Sequence, residues 1–311
     1  MAFSKGQKRD TEISVKRYIG IAAVKILGVN PTAAEQNKFF NTTAFTDNPE
    51  YVSKVKVKNT QTGAEVEVPQ ARLTFIVKTN PAIKCNSGID LTTSITFFIT
   101  KDFVYGDNGK KIKVIDKYGR TAWVTAEEFK SKSIPVYKNG PARIDAGYRA
   151  MYRGEEELVA FLKTYLGIAN PEFWDSKTEK FVQRPASELP DCECSLEKIE
   201  DYFKGNFAEI KEILTYQPEN MIKILLGVRT TDEGKQYQAA FTRMFVSINT
   251  TNYAKLANEV STAQAAGVYK TTAFEVTDLK EFSIEATDYT KADAPTAEAP
   301  VNDLPFGNPM Q

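Results

Sequence analysis

Residues 91–124 limit the fold of this chain more than any other stretch, because strand-forming segments alternate there with turn residues. Residues 93–105 are dense in Thr, Ile, Phe and Val, which favours a half-buried strand over a helix. Glycines and an asparagine at 106–109 interrupt the run, and residues 110–115 resume it with lysines alternating with aliphatic residues. After a second turn, residues 121–124 read as a strand again. The stretch therefore predicts a three-stranded meander.

The rest of the first half follows the same pattern of short strands. Residues 13–29 favour a long strand bent at its first glycine, and residues 51–68 alternate valine with lysine around a turn, which predicts a hairpin. Residues 71–78 predict a further strand. Thr32 and Glu35 have the spacing of a capping box, so we expect a short helix to begin there. Many short strands of this kind indicate a barrel or a sandwich.

The second half mixes helices with strands. Residues 155–166 place apolar side chains at intervals of three and four and end at Gly167, which predicts an amphipathic helix. A second helix is expected from Ser195 to Leu214, broken at Gly205 and Asn206. The remaining expected elements are a hairpin of Met221–Arg229 with Gln236–Ile248, a helix over Asn252–Ala266 and a strand over Val276–Ile284.

Changes in composition along the chain predict its domain organisation. Residues 1–12 read as a flexible basic arm and residues 13–284 as one core with helical insertions at 154–215. Residues 285–311 are rich in Ala, Pro, Thr and acids with almost nothing to bury, which is typical of a disordered acidic tail. The predicted fold class is α+β, with a β-rich core and peripheral helices.

The composition also limits the chemistry. The chain has no histidine, so the commonest general base and metal ligand is missing, and with it every Ser-His or Cys-His pair. Cys85, Cys192 and Cys194 fall short of the four ligands of a structural zinc site, so we expect buried or unreactive thiols and no metal or cofactor. No apolar run reaches membrane-spanning length, and the N-terminus lacks the apolar stretch of a signal peptide. A cytoplasmic protein is therefore expected.

Formal neutrality hides a division of charge along the chain. Residues 1–153 carry 25 Lys and Arg against 14 Asp and Glu, a formal charge of +11. Residues 154–311 carry 15 against 26, a formal charge of −11. A basic half of this size indicates a polyanionic partner, and the acidic half could compete for the same surface. The alternative is one large domain in which the charges are placed at random.

Aromatic rings and cations occur together from residue 101 to residue 153. Bases stack on flat rings while cations follow phosphates, so the combination is typical of a surface for one nucleic-acid strand. Taken singly, each residue is more often a core ring or a lysine that keeps a hairpin soluble. The candidate stacking residues are Phe103, Tyr105, Tyr118, Trp123, Tyr148 and Tyr152. The candidate phosphate ligands are Lys101, Lys110, Lys111, Lys113, Lys117, Arg120, Arg143, Arg149 and Arg153.

Near the end of the acidic tail lies one apolar element, Asp303, Leu304, Pro305 and Phe306. This tail resembles those of replication single-stranded-DNA-binding proteins, whose tip recruits other replication proteins. In the bacterial family the aromatic residue comes last, whereas five residues follow it here. With its basic arm and β-rich core, the layout resembles a phage-type protein of that class. The resemblance implies an OB-like Greek-key barrel, cooperative coating of the strand, and a tail that competes with DNA.

The sequence thus leads us to expect a non-enzymatic protein that binds single-stranded DNA independently of sequence and coats and protects it in replication or recombination, in the host cytoplasm if a phage encodes it. Its expected partners are the DNA strand, replication proteins bound by residues 303–306, and further copies of itself. The alternative is a phage virion structural or assembly protein whose charge division mediates subunit contacts. An enzyme comes third, because no phosphate-cradling glycine loop or metal-ligand cluster stands out.

Overall fold

A computed structural model describes residues 16–17, 20–60, 63–81, 90–132, 144, 147–168, 172–185, 196–216, 218–230, 236–265, 272–273 and 287–288. The strands in these ranges are β1 (Lys16–Arg17), β2 (Gly20–Val29), β3 (Val52–Lys58), β4 (Glu65–Thr79), β5 (Thr92–Phe103), β6 (Tyr105–Gly106), β7 (Lys111–Ile115), β8 (Thr121–Thr125), β9 (Arg149–Ala150), β10 (Tyr152–Arg153), β11 (Glu172–Asp175), β12 (Lys180–Gln183), β13 (Met221–Thr230), β14 (Gln236–Ser247), β15 (Thr272–Ala273) and β16 (Thr287–Asp288). The helices are α1 (Ala33–Phe40), α2 (Ala126–Ser131), α3 (Glu155–Leu166), α4 (Ile199–Tyr202), α5 (Ala208–Ile213) and α6 (Ala254–Ala265). None of these helices has the length and apolar character needed to cross a membrane.

The largest element of the described part of the chain is an eight-stranded antiparallel sheet. Its strands follow the order β10-β5-β4-β2-β13-β14, with β3 also paired to β4 and β15 to β13. The sheet curls into a half-barrel, so that β14 at one end of the order packs close to β5 near the other. The prediction of a β-rich α+β fold is confirmed at this level.

Helix α3 packs on one face of the half-barrel. Its ring of Phe161 packs against Phe75 at 5.2 Å and Phe97 at 5.1 Å between centroids, and all three side chains are buried. Burying an aromatic side chain of this size contributes roughly 1.5–3 kcal/mol to folding. The predicted bounds of the helix and its end at Gly167, which has φ +69°, are confirmed. At its start, Gly154 has φ +84°, and a Cβ there would lie 1.9 Å from the carbonyl oxygen of Phe98.

Strand β4 is a single 15-residue strand, and β2 and β3 pair with successive parts of it. Asn30 bridges the gap between them: its Nδ2 donates to the carbonyl of Arg72 at 2.9 Å, and its Oδ1 accepts from the Thr74 amide at 2.7 Å. The predicted 51–68 hairpin is confirmed as β3 and β4. The separate strand expected over 71–78 is wrong, because β4 runs through Pro69 without a break.

A smaller sheet, formed by β6, β7, β8 and β9 within the described ranges, lies beside the half-barrel. Its β6-β7-β8 part confirms the second and third strands of the predicted meander, with only the end of the first. The single strand expected over 93–105 is wrong, because β5 pairs with β4 in the large sheet whereas β6 pairs with β7 in the small one. Val104 lies between them and joins the sheets: its amide donates to the Met151 carbonyl at 3.1 Å, and its carbonyl accepts from the Lys113 amide at 2.8 Å.

The remaining helices and the second-half hairpin agree with the sequence in large part. The capping box of Thr32 and Glu35 is present at α1, and β13 with β14 confirms the predicted hairpin. Helix α6 covers the opposite side of the half-barrel, where Leu256 and Val260 are buried. The helix expected over 195–214 consists of α4 and α5, separated at Gly205, which has φ +82°.

Several expectations fall outside the described residues. These are the basic arm at 1–12, the three cysteines, the strand over Val276–Ile284, Arg143 and the tail element at 303–306. Within the predicted tail, β16 is described and pairs with β1 in an antiparallel ladder.

Candidate nucleic-acid interface

The outer face of the small sheet carries Trp123, whose side chain is the most exposed of the described stacking candidates at 40%. The alternation of β7 explains this face, because Ile112 and Val114 point into the small core while Lys111 and Lys113 point out. Lys113 lies directly opposite Trp123 in the β7–β8 ladder, and its Nζ is 5.7 Å from the indole centroid. An accessible ring and a cation are therefore held side by side on two paired strands.

Gly106 on β6 leaves the space that the indole occupies. A Cβ atom at this position would lie 2.9 Å from Cζ3 of Trp123, closer than real contacts of this kind. The backbone of Gly106 has φ −123°, a conformation open to any residue. The glycine is therefore required by the close approach of the ring and not by the backbone.

The β7–β8 turn holds a second ring among cations. Asp116 is fully buried and organises the turn, accepting from the backbone amides of Tyr118 at 3.0 Å and Arg120 at 2.9 Å. Its other oxygen accepts from Nε of Arg120 at 2.7 Å. The half-buried ring of Tyr118 has the Nζ of Lys117 at 5.1 Å and the Cζ of Arg120 at 5.7 Å from its centroid. Such contacts are typical of cation–π pairs.

Most of the predicted phosphate ligands have carboxylate partners of their own. The pairs are Lys101 with Glu200 at 2.7 Å, Lys111 with Asp107 at 2.7 Å, Lys113 with Glu156 at 2.6 Å, Arg120 with Asp116 at 2.7 Å, Arg149 with Glu155, and Arg153 with Asp102 at 2.6 Å. Three of these carboxylates, Glu155, Glu156 and Glu200, come from the acidic half of the chain. The basic half is therefore partly neutralised inside the folded protein.

Two predicted stacking rings lie in the interior. Tyr148 is 2% exposed and its hydroxyl donates to the carbonyl of Glu128 at 3.1 Å. Tyr152 is 6% exposed, stacks on Phe103 with 4.8 Å between centroids, and donates its hydroxyl proton to Glu200. Neither tyrosine presents a free ring face to a base. Their place in this structure is therefore core packing, which corrects the expectation that they line the surface.

Arg149 also has a structural role rather than the expected phosphate contact. Its guanidinium donates to both carboxylate oxygens of Glu155 and to the carbonyl of Leu196 at 3.1 Å. Glu155 is completely buried, and its Oε2 also accepts from the Tyr152 amide at 2.9 Å. Burial raises the pKa of the Glu155 carboxyl, an effect that the Arg149 contacts only partly offset. This pair ties the small sheet to the start of α3.

The other candidates occupy intermediate positions. Phe103 and Tyr105 are half-buried and pack against the small core, while Lys101 and Lys110 are exposed. The structure thus brings Trp123, Lys111, Lys113 and the Lys117–Arg120 turn onto the small sheet. Tyr148 and Tyr152 are buried, and Arg149 is paired with the buried Glu155.

Two clefts were not foreseen from the sequence. One of about 370 Å³ lies between the β7–β8 turn and α3, lined among others by Ile115, Glu156 and Lys163. Another of about 500 Å³ lies at the β2–β3 gap, next to Tyr51 and Phe207. Both are formed by residues far apart in the chain, so no local sequence pattern predicts them. Within the described ranges, no group of three or more Cys, Asp and Glu residues is arranged to hold a metal ion.

Comparisons with known proteins add no further constraint. No protein-family model matches the chain, and neither the curated proteins nor the solved structures include a significant match. The fold and the site define a β-rich α+β protein with a small sheet that presents an exposed indole among lysines.

Proposed function

We propose that this chain is a non-enzymatic protein that binds single-stranded DNA independently of sequence, and that it coats and protects the strand in replication or recombination. The observation that carries the proposal is the exposed indole of Trp123, seated over Gly106 beside Lys113. A base–aromatic stack of this kind is worth about 1–3 kcal/mol.

The ion pairs on this face are compatible with exchange for phosphate. In the Lys113–Glu156 pair the carboxylate side chain is 50% exposed, whereas that of the lysine is 17% exposed. A phosphate that approaches from solvent can therefore replace the accessible carboxylate as the partner of Lys113. The buried Asp116 and Glu155, by contrast, hold Arg120 and Arg149 in structural roles.

We also propose for this chain the core, the tail function and the self-association that the resemblance implies. The half-barrel and the small sheet would together act as an OB-like core in the cytoplasm, that of the host if a phage encodes the protein. The acidic tail, with residues 303–306 near its end, would recruit replication proteins and compete with DNA for the lysines. Self-association would accompany coating of the strand.

The test is a titration of the full chain with oligo-dT and with duplex DNA of equal length at two salt concentrations. We expect preference for the single strand, quenching of tryptophan fluorescence, and a slope of log K against log salt near −0.7 for each phosphate bound. Equal affinity for the two DNAs, or no binding to either, contradicts the proposal.

A second candidate, a virion structural or assembly protein, is favoured by a different observation. The ribbon of β3 and β4 presents Val66, which is 39% exposed, while Lys56 and Lys58 face Glu67 and Glu65 in its ladder. An exposed valine on a ribbon whose charges are already matched suits a contact between subunits. This alternative is supported if the same titration shows no preference for single-stranded DNA and light scattering shows that the protein assembles.

A further inference from the structure

The cleft beside α3 is lined by both apolar and polar residues. Ile115, Val159 and Ile168 contribute the apolar side, whereas Glu156, Lys163 and Thr121 contribute the polar groups. Its volume of about 370 Å³ lies within the range of small-ligand sites. A flat ring with hydrogen-bonding edges is the kind of ligand that such a lining accommodates.

Lys113 connects this cleft to Trp123. Its Nζ lies 2.7 and 2.6 Å from the two carboxylate oxygens of Glu156 and 5.7 Å from the indole centroid. Because Lys113 Nζ contacts both groups, the distance from the Glu156 carboxylate to the indole centroid cannot exceed the sum of the Nζ–oxygen and Nζ–centroid distances. A strand that stacked one base on Trp123 would bring its neighbouring base to the side of the cleft where Glu156 lies.

We propose that the cleft receives one nucleobase of the bound strand and that Glu156 favours a base with an exocyclic amino group. The inference rests on the proposed function and adds to sequence-independent binding a modest preference at one base position. An ionised carboxylate only accepts hydrogen bonds. The N4 amino group of cytosine donates to such an acceptor. In place of that amino group thymine carries O4, an acceptor that repels the carboxylate, so that only its N3–H can donate.

Entry of the strand also explains how Glu156 becomes available. Lys113 holds the carboxylate in the free protein, and its own side chain is 17% exposed against 50% for Glu156. A phosphate that attracts Lys113 leaves the carboxylate oxygens to the base. Glu156 is placed on the first turn of α3, whose buried face fixes the helix in the core.

The experiment compares the affinities of the full chain for oligo-dC and oligo-dT of equal length, at matched salt and at mildly alkaline pH, where cytosine is unprotonated. We expect oligo-dC to bind about fivefold more tightly, at the lower end of the discrimination of one specific base contact. In Glu156→Gln the side chain both donates and accepts, so the preference disappears and both affinities rise as Lys113 is released.

Two further variants separate the cleft from general charge. Glu127→Gln makes the same charge change at an exposed position of α2 and should leave the dC-to-dT ratio unchanged. Ala160→Phe fills the cleft from the exposed side of α3 and should abolish the preference while quenching of Trp123 persists. A preference that survives in Glu156→Gln or Ala160→Phe overturns the inference.

The two proposals fail in different ways. Equal binding of oligo-dC and oligo-dT, with fluorescence quenching by both, overturns the base preference and leaves single-strand binding intact. Absence of binding to both oligonucleotides overturns the proposed function and the inference together.

Discussion

Lys113 and Trp123 are directly opposed partners in the β7–β8 ladder, with the lysine Nζ 5.7 Å from the centre of the indole ring. A cation over an exposed ring contributes about 0.5–1 kcal/mol. The same Nζ contacts Glu156 at the start of α3. One lysine therefore contacts an accessible ring and a carboxylate beside a cleft, and the proposed binding of a polyanion with flat rings depends on this arrangement.

Replacing Trp123 with alanine should weaken oligo-dT binding by about 1–3 kcal/mol, because one base–aromatic stack is lost. Binding is measured by the anisotropy of a labelled oligonucleotide. A Trp174→Phe background leaves Trp123 as the single tryptophan, so its quenching can be followed directly. Tyr216→Ala, which removes a ring that is 49% exposed elsewhere, serves as the matched control and should bind normally. Unchanged binding by the Trp123 variant contradicts a stacking role.

Gly106→Ala should weaken the same binding by displacing the indole. The new Cβ would lie 2.9 Å from the ring, and since the backbone of Gly106 accepts alanine, the side chain of Trp123 must move. We expect a shifted tryptophan emission maximum and a loss of affinity smaller than that of Trp123→Ala. In a double-mutant cycle the glycine substitution should have no effect once Trp123 is alanine. Additive losses would show that Gly106 acts independently of the ring.

Local rules recovered much of the fold. The capping box at Thr32 and Glu35 and the apolar spacing of α3 depend on residues within a turn or two of one another, so both can be predicted from the local sequence. The division of residues 92–106 between two sheets depends on which strand pairs with each part of the segment. The alternation of apolar and polar residues does not identify the pairing strand. The same limit explains why the sequence pattern predicts two strands where the structure has the single strand β4.

The candidate site was recovered only in part, for a related reason. Trp123 and Tyr152 are similar residue types on short strands, yet one is 40% exposed and the other 6%. Their burial depends on α4 and β5, which pack over Tyr152 and not over Trp123. The partners of the cations are likewise distant, since Lys113 and Glu156 are 43 residues apart. Such pairings are decided by tertiary packing.

The Arg149–Glu155 pair gives a prediction on pH and stability. Burial raises the pKa of the Glu155 carboxyl above its usual value of 4.5. The folded state therefore keeps this proton to higher pH than the unfolded state, and the contribution of Glu155 to stability is lost as pH rises through the folded pKa. Urea denaturation of both proteins should be measured from below to above the pKa of Glu155. The free energy of unfolding of the parent, relative to that of Glu155→Gln, should fall as pH rises. A relative stability that rises with pH would mean that Arg149 outweighs burial.

Asn30 should prove important to the half-barrel, because it replaces ladder hydrogen bonds where β2 ends and β3 has not begun. It is 5% exposed, has φ +47°, and its side chain satisfies both the Arg72 carbonyl and the Thr74 amide. Asn30→Gly keeps the left-handed backbone accessible but leaves both groups unpaired, so a loss of about 1–3 kcal/mol in the free energy of unfolding is expected by urea denaturation. Asn30→Asp retains only the acceptor for Thr74, leaves the Arg72 carbonyl unsatisfied, and should also be destabilising. Parent-like stability of Asn30→Gly would mean that water satisfies the gap and that the asparagine contributes only its backbone conformation.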